Sequence, residues 1–452
     1  MAFQSPWQLR VCLSGRQSLR TRHARHGRGD AMKRVLPWLA LLLAAPLLAA
    51  EPLSLEEARR IAETRAPQIE ALRAQEMAAR EMAVAAGQLP DPVLKLGLSN
   101  VPTDGEMAWS LTQESMTMRQ IGVMQEFTRG DKRQARADKA LREAELAHVS
   151  QRQSLADTRR DTTLAWLDLA YQGSMQALLE SQIAELHLQQ QAADAAFRAG
   201  RGEQADVFAN QLAIARSQDQ LAQMKRDILM ARSRLARWIG EDAERPLAPP
   251  PELKSQLQVH PALAESAEQH PLLASQQALV ALAEADARMA RENRTPDIAV
   301  ELMYGQRGPG FSNLVSVNLS MPLPWDRASR QDREHGARLA QLDQARAQQA
   351  DMQRAYRAEL RGNLAVLDNA RERLQRYDQQ LLPLAQQQVE AALAAYRAGS
   401  GSLTRVLEAR RMALDTRMEH QRVALEAARA WAQLNFLNPQ EASVSAAHGV
   451  QP

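Results

Sequence analysis

Few side chains in this 452-residue chain have the types and spacings that do chemistry. The histidines outside the leader (His148, His187, His260, His270, His335, His420 and His448) show no ligand-like spacing, and the one cysteine, Cys12, lies near the start. No phosphate-cradling Gly-rich loop, no nucleophile elbow and no HExxH pair is present, so no catalytic residue, metal site or cofactor is expected, and an enzyme has nothing to stand on. The remaining candidates are soft donors. Met107, Met116, Met118 and Met124 cluster within 18 residues, and as thioethers they could touch Cu(I) or Ag(I). They could equally be apolar fillers of a strand region.

Charge narrows the partners. Met32 to Arg34 is basic, Val35 to Leu48 is apolar and Ala49-Ala50 closes the stretch, the layout of an export signal that is too short to span a bilayer. Residues 1–31 read as translation from an early start and 32–50 as the signal peptide. Removing residues 1–50 takes away eight basic side chains and one acid, so the 56 basic and 53 acidic residues of the whole chain become 48 and 52. The basic balance therefore belongs to the leader, and no nucleic-acid partner is expected. Without Cys12 the exported part has no disulfide.

What recurs is a turn. Phe197 to Gly202 reads FRAGRG and Tyr396 to Gly401 reads YRAGSG, each between long polar helical stretches. The turns belong to a duplicated order. A first repeat spans 51–245, a Pro-rich linker 246–257, a second repeat 258–440, and a tail expected to be disordered 441–452. Each repeat opens with a helical segment holding one early proline (Pro67, Pro271) and breaks at Pro90-Asp91 or Pro296-Asp297. Each then alternates apolar and polar residues, which predicts a β-hairpin at 93–128 and another at 297–323.

A helix of about 65 residues follows each hairpin, from Asp131 to Ala196 and from Arg327 to Ala395, interrupted only at Pro383; at ~1.5 Å per residue it spans roughly 100 Å. Leu360, Leu367, Leu374 and Leu381 recur every seven residues beside Leu364, Tyr377 and Leu384, a seam for a neighbouring helix. Past the turns, near 197–203 and 396–402, return helices run from Glu203 to Trp238 and from Ser402 to Leu437.

Four strands cannot stand open in hydrocarbon, where edge N–H and C=O groups would have no partner, but three chains supply twelve strands, an even number that closes. Trp109, Phe127, Tyr304, Phe311 and Trp325 suit the interfacial belts of such a barrel, and they suit the strand ends of a soluble sheet as well.

From SLEEARRIA to about Asn438 the chain resembles the TolC family of outer membrane efflux proteins. The likeness rests on the duplicated order, on the Met321 to Pro324 run, and on LLPLAQQQVEAALAAYRAGSGSLTRVLEAR, Leu381 to Arg410. It implies a mainly α fold with a small β part: a homotrimer whose twelve-stranded barrel lies in outer membrane lipid and continues as an α-helical periplasmic tunnel. It implies a passive exit duct of a tripartite pump, partnered by a periplasmic adaptor and an inner-membrane transporter of the resistance-nodulation-division (RND) type. The stretch Asp91 to Phe127 is most similar to the heavy-metal branch. A multidrug duct, a protein-secretion duct and, from another class, a soluble periplasmic coiled-coil scaffold remain open. By the same resemblance, Arg198, Ala199, Gly200, Arg201, Gly202, Arg397, Ala398, Gly399, Ser400 and Gly401 are adaptor-docking tip residues. Asp206 takes the place of an acidic gate residue, while the second copy carries Arg405, with Glu408 three residues on. A pairing of Arg405 with Asp206 or Glu408 would hold the tip shut.

Overall fold

The computed structural model of the chain describes residues 51–200, 202–250 and 270–436. The leader, Arg201, the linker beyond residue 250 and the tail lie outside the described residues.

Helix α1 (Leu55–Thr64) starts where the Ser54 hydroxyl accepts the Glu57 N–H at 3.1 Å. Helix α2 (Pro67–Ala86) starts on a proline, whose missing N–H has no partner to lose in a first turn. Strands β1 (Val93–Ser99) and β2 (Met118–Phe127) follow, then α3 (Gly130–Arg198), whose 69 residues span about 100 Å. Helix α4 (Gln204–Ile239) returns and ends on a 3-10 turn, Gly240–Glu244. The second copy repeats the order: α5 (Pro271–Glu292), β3 (Ile298–Gln306), β4 (Leu314–Ser320), α6 (Gln331–Arg376), a π turn (Tyr377–Leu381), α7 (Leu382–Arg397) and α8 (Leu403–Phe436). The fold is mainly α with one small sheet, and the internal repeat read from the sequence is present in its elements.

The two hairpins form a single antiparallel sheet, β1-β2-β3-β4, joined through β2 and β3. Paired residues share a face, so the register sorts the side chains. One face carries the rows Leu94, Val123, Leu302, Val317 and Leu96, Ile121, Tyr304, Val315, all exposed. The other carries Lys95, Gln120, Met124, Glu301, Asn318 and Ser316, with Lys95 and Glu301 paired at 2.8 Å. The apolar face is thus the outward one, the reverse of a soluble sheet. Among the described residues β1 and β4 are edges without a second neighbour.

Charge pairs tie the sheet end to the helices and the helices to one another. Lys132, at the start of α3, reaches Asp297, just ahead of β3, at 2.6 Å, and both side chains are nearly hidden. Lys139 of α3 pairs with Asp286 of α5 at 2.9 Å, and Arg294 pairs with Asp332 of α6 at 2.8 Å. Farther along α3, a core of Leu53, Trp166, Leu167, Leu235, Ile239, Ala428 and Ala432 brings α1, α3, α4 and α8 together. The Trp166 indole donates to the Leu53 carbonyl at 3.2 Å, and buried Asp168 accepts from Arg429 at 2.7 Å. No described helix is long and apolar enough to cross a membrane.

The heptad seam is real for Leu360 and Leu367, which pack against Val423, Ala427 and Leu434 of α8 with Leu364, Leu374 and Tyr377 beside them. It fails at Leu381 and Leu384, which are exposed. The reason is Pro383. Lacking an N–H and crowding the carbonyl four residues back, it forces the helix to widen, and the Leu382 N–H donates to Tyr377, five residues back. The extra residue rotates the helix, and the seam continues at Leu382, Ala385 and Val389. The same π turn sets Asp378 at 3.1 Å from His420 of α8, with the Tyr377 ring edge-on to the imidazole.

Candidate functional site

Both long helices end by the same backbone path. Ala199 (φ −83, ψ 4) and Ala398 (φ −77, ψ −1) leave the helix, and Gly200 and Gly399 take φ of 68 and 75. An L side chain there costs about 1–2 kcal/mol, which is why glycine stands at both places. The Ala199 and Ala398 N–H groups donate to Ala195 and Ala394, and those of Gly200 and Gly399 to Phe197 and Tyr396, all within 3.0–3.1 Å. Gly202 and Gly401 are needed for space: a Cβ on either would stand 3.1 Å from the end of the preceding helix.

Arg198, Ala199, Gly200, Arg397, Ala398, Gly399 and Ser400 are exposed, while Gly202 and Gly401 are half-buried and Arg201 lies outside the described residues. The Ser400 hydroxyl donates to Ala395 at 3.1 Å and braces the second turn.

The structure brings the two hairpins together just behind their turns. Ala193, Val207 and Leu403 form an apolar plug with Tyr396 and Leu407 against it. Beside the plug, the Thr404 hydroxyl of α8 donates to the Asp206 carboxylate of α4 at 3.0 Å. Within one chain, among the described residues, no ion pair joins Arg405 to Asp206 or Glu408; Asp206 accepts from Thr404, and Arg405 and Glu408 are exposed on α8.

Farther from the turns, Arg410 of α8 pairs with Glu185 of α3 at 2.5 Å, and buried Asn210 of α4 donates to the Leu186 carbonyl at 2.9 Å and to Gln190 at 3.1 Å. These contacts, with a cavity of about 280 Å³ lined by Glu185, Gln386, Arg410 and Arg417, make the hairpin ends a polar junction around a small apolar plug.

Thr404, Asn210 and the Arg410–Glu185 pair were not singled out from the sequence. Aligning the two repeats would have flagged Thr404, since it precedes the residue that matches Asp206. The methionine candidates divide. Met118 and Met124 lie on the polar face of the sheet; Met107 and Met116 sit in the exposed loop between β1 and β2. Met303, on β3, shares the face of Met118 and Met124 and was missed. Among the described residues, no group of three or more His, Cys, Asp or Glu side chains is placed to hold a metal ion.

The outer membrane efflux protein family model matches residues 59–241 and 262–438, well over half of the chain. No curated protein matches it by sequence. Among solved structures, a membrane protein from Pseudomonas aeruginosa is 16% identical with a TM-score of 0.74, over 85% of this chain and 92% of that one. The outer membrane protein VceC from Vibrio cholerae is 15% identical with a TM-score of 0.68, over 85% and 95%. CusC, whose structures concern folding and transmembrane channel formation, is 14% identical with a TM-score of 0.69, over 85% and 92%. At these identities the likeness concerns the fold.

Proposed function

The chain belongs to the outer membrane efflux protein family, and from that premise we propose that it is the outer membrane exit duct of a tripartite pump of the RND type, exporting heavy-metal cations. Three chains would close twelve strands into a barrel, pairing β1 of each with β4 of the next, and the long helices would continue the duct through the periplasm. The observation that carries this reading is the inverted sheet. Leu94, Leu96, Ile121, Val315, Val317 and Leu319 are each at least half exposed on one face, an arrangement that water penalises and lipid rewards. Phe127 and Tyr304 lie on that face and Trp325 is almost fully exposed beyond β4, where an aromatic belt would sit.

The adaptor would dock at the exposed tip residues Arg198, Ala199, Gly200, Arg397, Ala398, Gly399 and Ser400, joined by Arg201, Gly202 and Gly401. Asp206, Arg405 and Glu408 would ring the narrow end of the pore three times over. Like charges in such a ring set ion preference and resist closure. The junction of Asp206 with Thr404 then serves as the resting contact within one chain, leaving Arg405 free to pair across chains. No step of transport requires chemistry by this chain, since a passive conduit takes its energy from the pump. The heavy-metal assignment rests on the likeness of Asp91 to Phe127 and on methionines standing on the pore face.

Single-channel recording in planar bilayers tests the duct. Discrete, cation-preferring conductance is the expected result, and a protein that remains water-soluble and silent would refute it. Growth of a deletion strain on copper, silver, zinc, cobalt and cadmium tests the substrate: sensitivity to drugs alone would replace the metal reading with the multidrug one.

A further inference from the structure

The sheet register segregates its methionines. The outward face is built from Leu, Ile, Val and a few aromatic and polar residues, and not one of its paired residues is Met. Met118, Met124 and Met303 all stand on the opposite, pore-side face, half-buried among Lys95, Gln120 and Glu301. Fillers chosen for bulk would be found on the apolar face, where bulk is needed. On the polar face a thioether adds little but a soft donor.

Glycines on the facing strand make room for two of the three. Met303 pairs with Gly122, and a Cβ on Gly122 would stand 2.6 Å from the Met303 Cγ. The Met118 sulfur lies 3.1 Å from where a Cβ on Gly305 would be. Met124 is two residues from Gly122 along β2, opposite Glu301. Met124 and Met303 are diagonal neighbours, roughly 7–8 Å apart and within the combined reach of two methionine side chains, while Met118, four residues from Gly122 along β2, reaches over Gly305, two residues from Met303 along β3. The order along the sheet, from the helix end outward, is Met124, Met303, Met118.

We propose that Met124, Met303 and Met118 form a thioether ladder on the inner wall of the barrel, which monovalent soft cations, Cu(I) or Ag(I), bind transiently on the way out. The ladder rests on the duct reading above and narrows its substrate class. Thioethers are neutral, so each rung holds such a cation without a strong charge to trap it, and the carboxylate beside the first rung, Glu301, is already met by Lys95 at 2.8 Å. Harder divalent cations find no ligand in the rungs.

The test uses the protein expressed from the full chain, purified in detergent in chloride-free buffer, and titrated with silver nitrate. Equilibrium dialysis should show Ag(I) retained by the wild type and by a Met77→Leu/Met82→Leu control, whose methionines are exposed on α2. It should be retained about tenfold or more weakly by Met118→Leu/Met124→Leu/Met303→Leu, a swap that nearly conserves volume and removes the soft donors. Methyl resonances of ¹³C-methionine in the wild type should shift at these three positions, a readout independent of whether the triple variant folds. Equal retention by the triple variant and wild type, or shifts confined to other methionines, overturns the ladder. A wild type that conducts in bilayers but retains no Ag(I) sinks the ladder alone, whereas one that does not conduct sinks the duct on which it rests.

Discussion

Val317 and Ser316 are neighbours in β4 and face opposite ways, Val317 in the row of Leu302 and Ser316 in the row of Met303. Leu302 is the middle residue of β3, so this row lies near mid-depth of the sheet. If the outward face meets hydrocarbon, Val317→Arg places a guanidinium at the bilayer midplane, at a cost of about 2–4 kcal/mol per chain. A closed trimer carries the change three times, roughly 6–12 kcal/mol in all, comparable to the whole stability of a domain. Ser316→Arg puts the same group into a water-filled pore, where it tunes selectivity. Outer membrane fractions run unheated on a denaturing gel, with antibody detection, should show the trimer band of Ser316→Arg at near wild-type level and that of Val317→Arg almost gone. Equal trimer levels for the two, or the greater loss in Ser316→Arg, would refute the assignment of faces and with it the barrel.

The other expectations concern the helices and the tips. Gly399→Trp should abolish cross-linking to the adaptor while trimers persist, and Gly399→Ala, which carries only the positive-φ strain of about 1–2 kcal/mol, should not; cross-linking retained in the Trp variant argues against a docking tip. Thr404→Val removes the hydroxyl that Asp206 accepts from, and should lengthen the open time of single channels, as should Arg405→Ala if it pairs across chains; unaltered gating in both leaves the tip without a latch. Burial pushes the Tyr171 and Tyr356 phenols up to about 12 from 10. Because the folded values are raised, the stability these rings lend is whole below pH 10 and fades as pH rises toward 12, so chemical denaturation midpoints should fall across that window, and less steeply in a Tyr171→Phe/Tyr356→Phe variant.

Local periodicity carried the strands and long helices, because alternation and helical spacing are written residue by residue. The alternating stretches at 93–128 and 297–323 hold the strands Val93–Ser99 and Met118–Phe127, and Ile298–Gln306 and Leu314–Ser320. The seam broke at Leu381 because a heptad assumes an unbroken α-helix, and the π turn demanded by Pro383 inserts a residue that spacing cannot show. The methionines were legible as donors but not as a set: membership depends on which strand pairs with which, and Met303 is 179 residues from Met124. The partner of Asp206 was hidden for the same reason. Thr404 belongs to the other repeat, and its contact with Asp206 at 3.0 Å depends on how the two repeats pack, which charge spacing does not show.

The two edge strands, β1 and β4, each with one free side among the described residues, have a consequence for inheritance. If three copies close the barrel, as proposed, every working pore is a joint product of all the alleles expressed in a cell. With a defective tip and an intact sheet, a variant such as Gly399→Trp would enter mixed rings freely. At equal expression roughly one ring in eight would be wholly wild type under random closed assembly. Such a variant should therefore be dominant over the wild-type gene, while Val317→Arg, which fails before rings form, should be recessive.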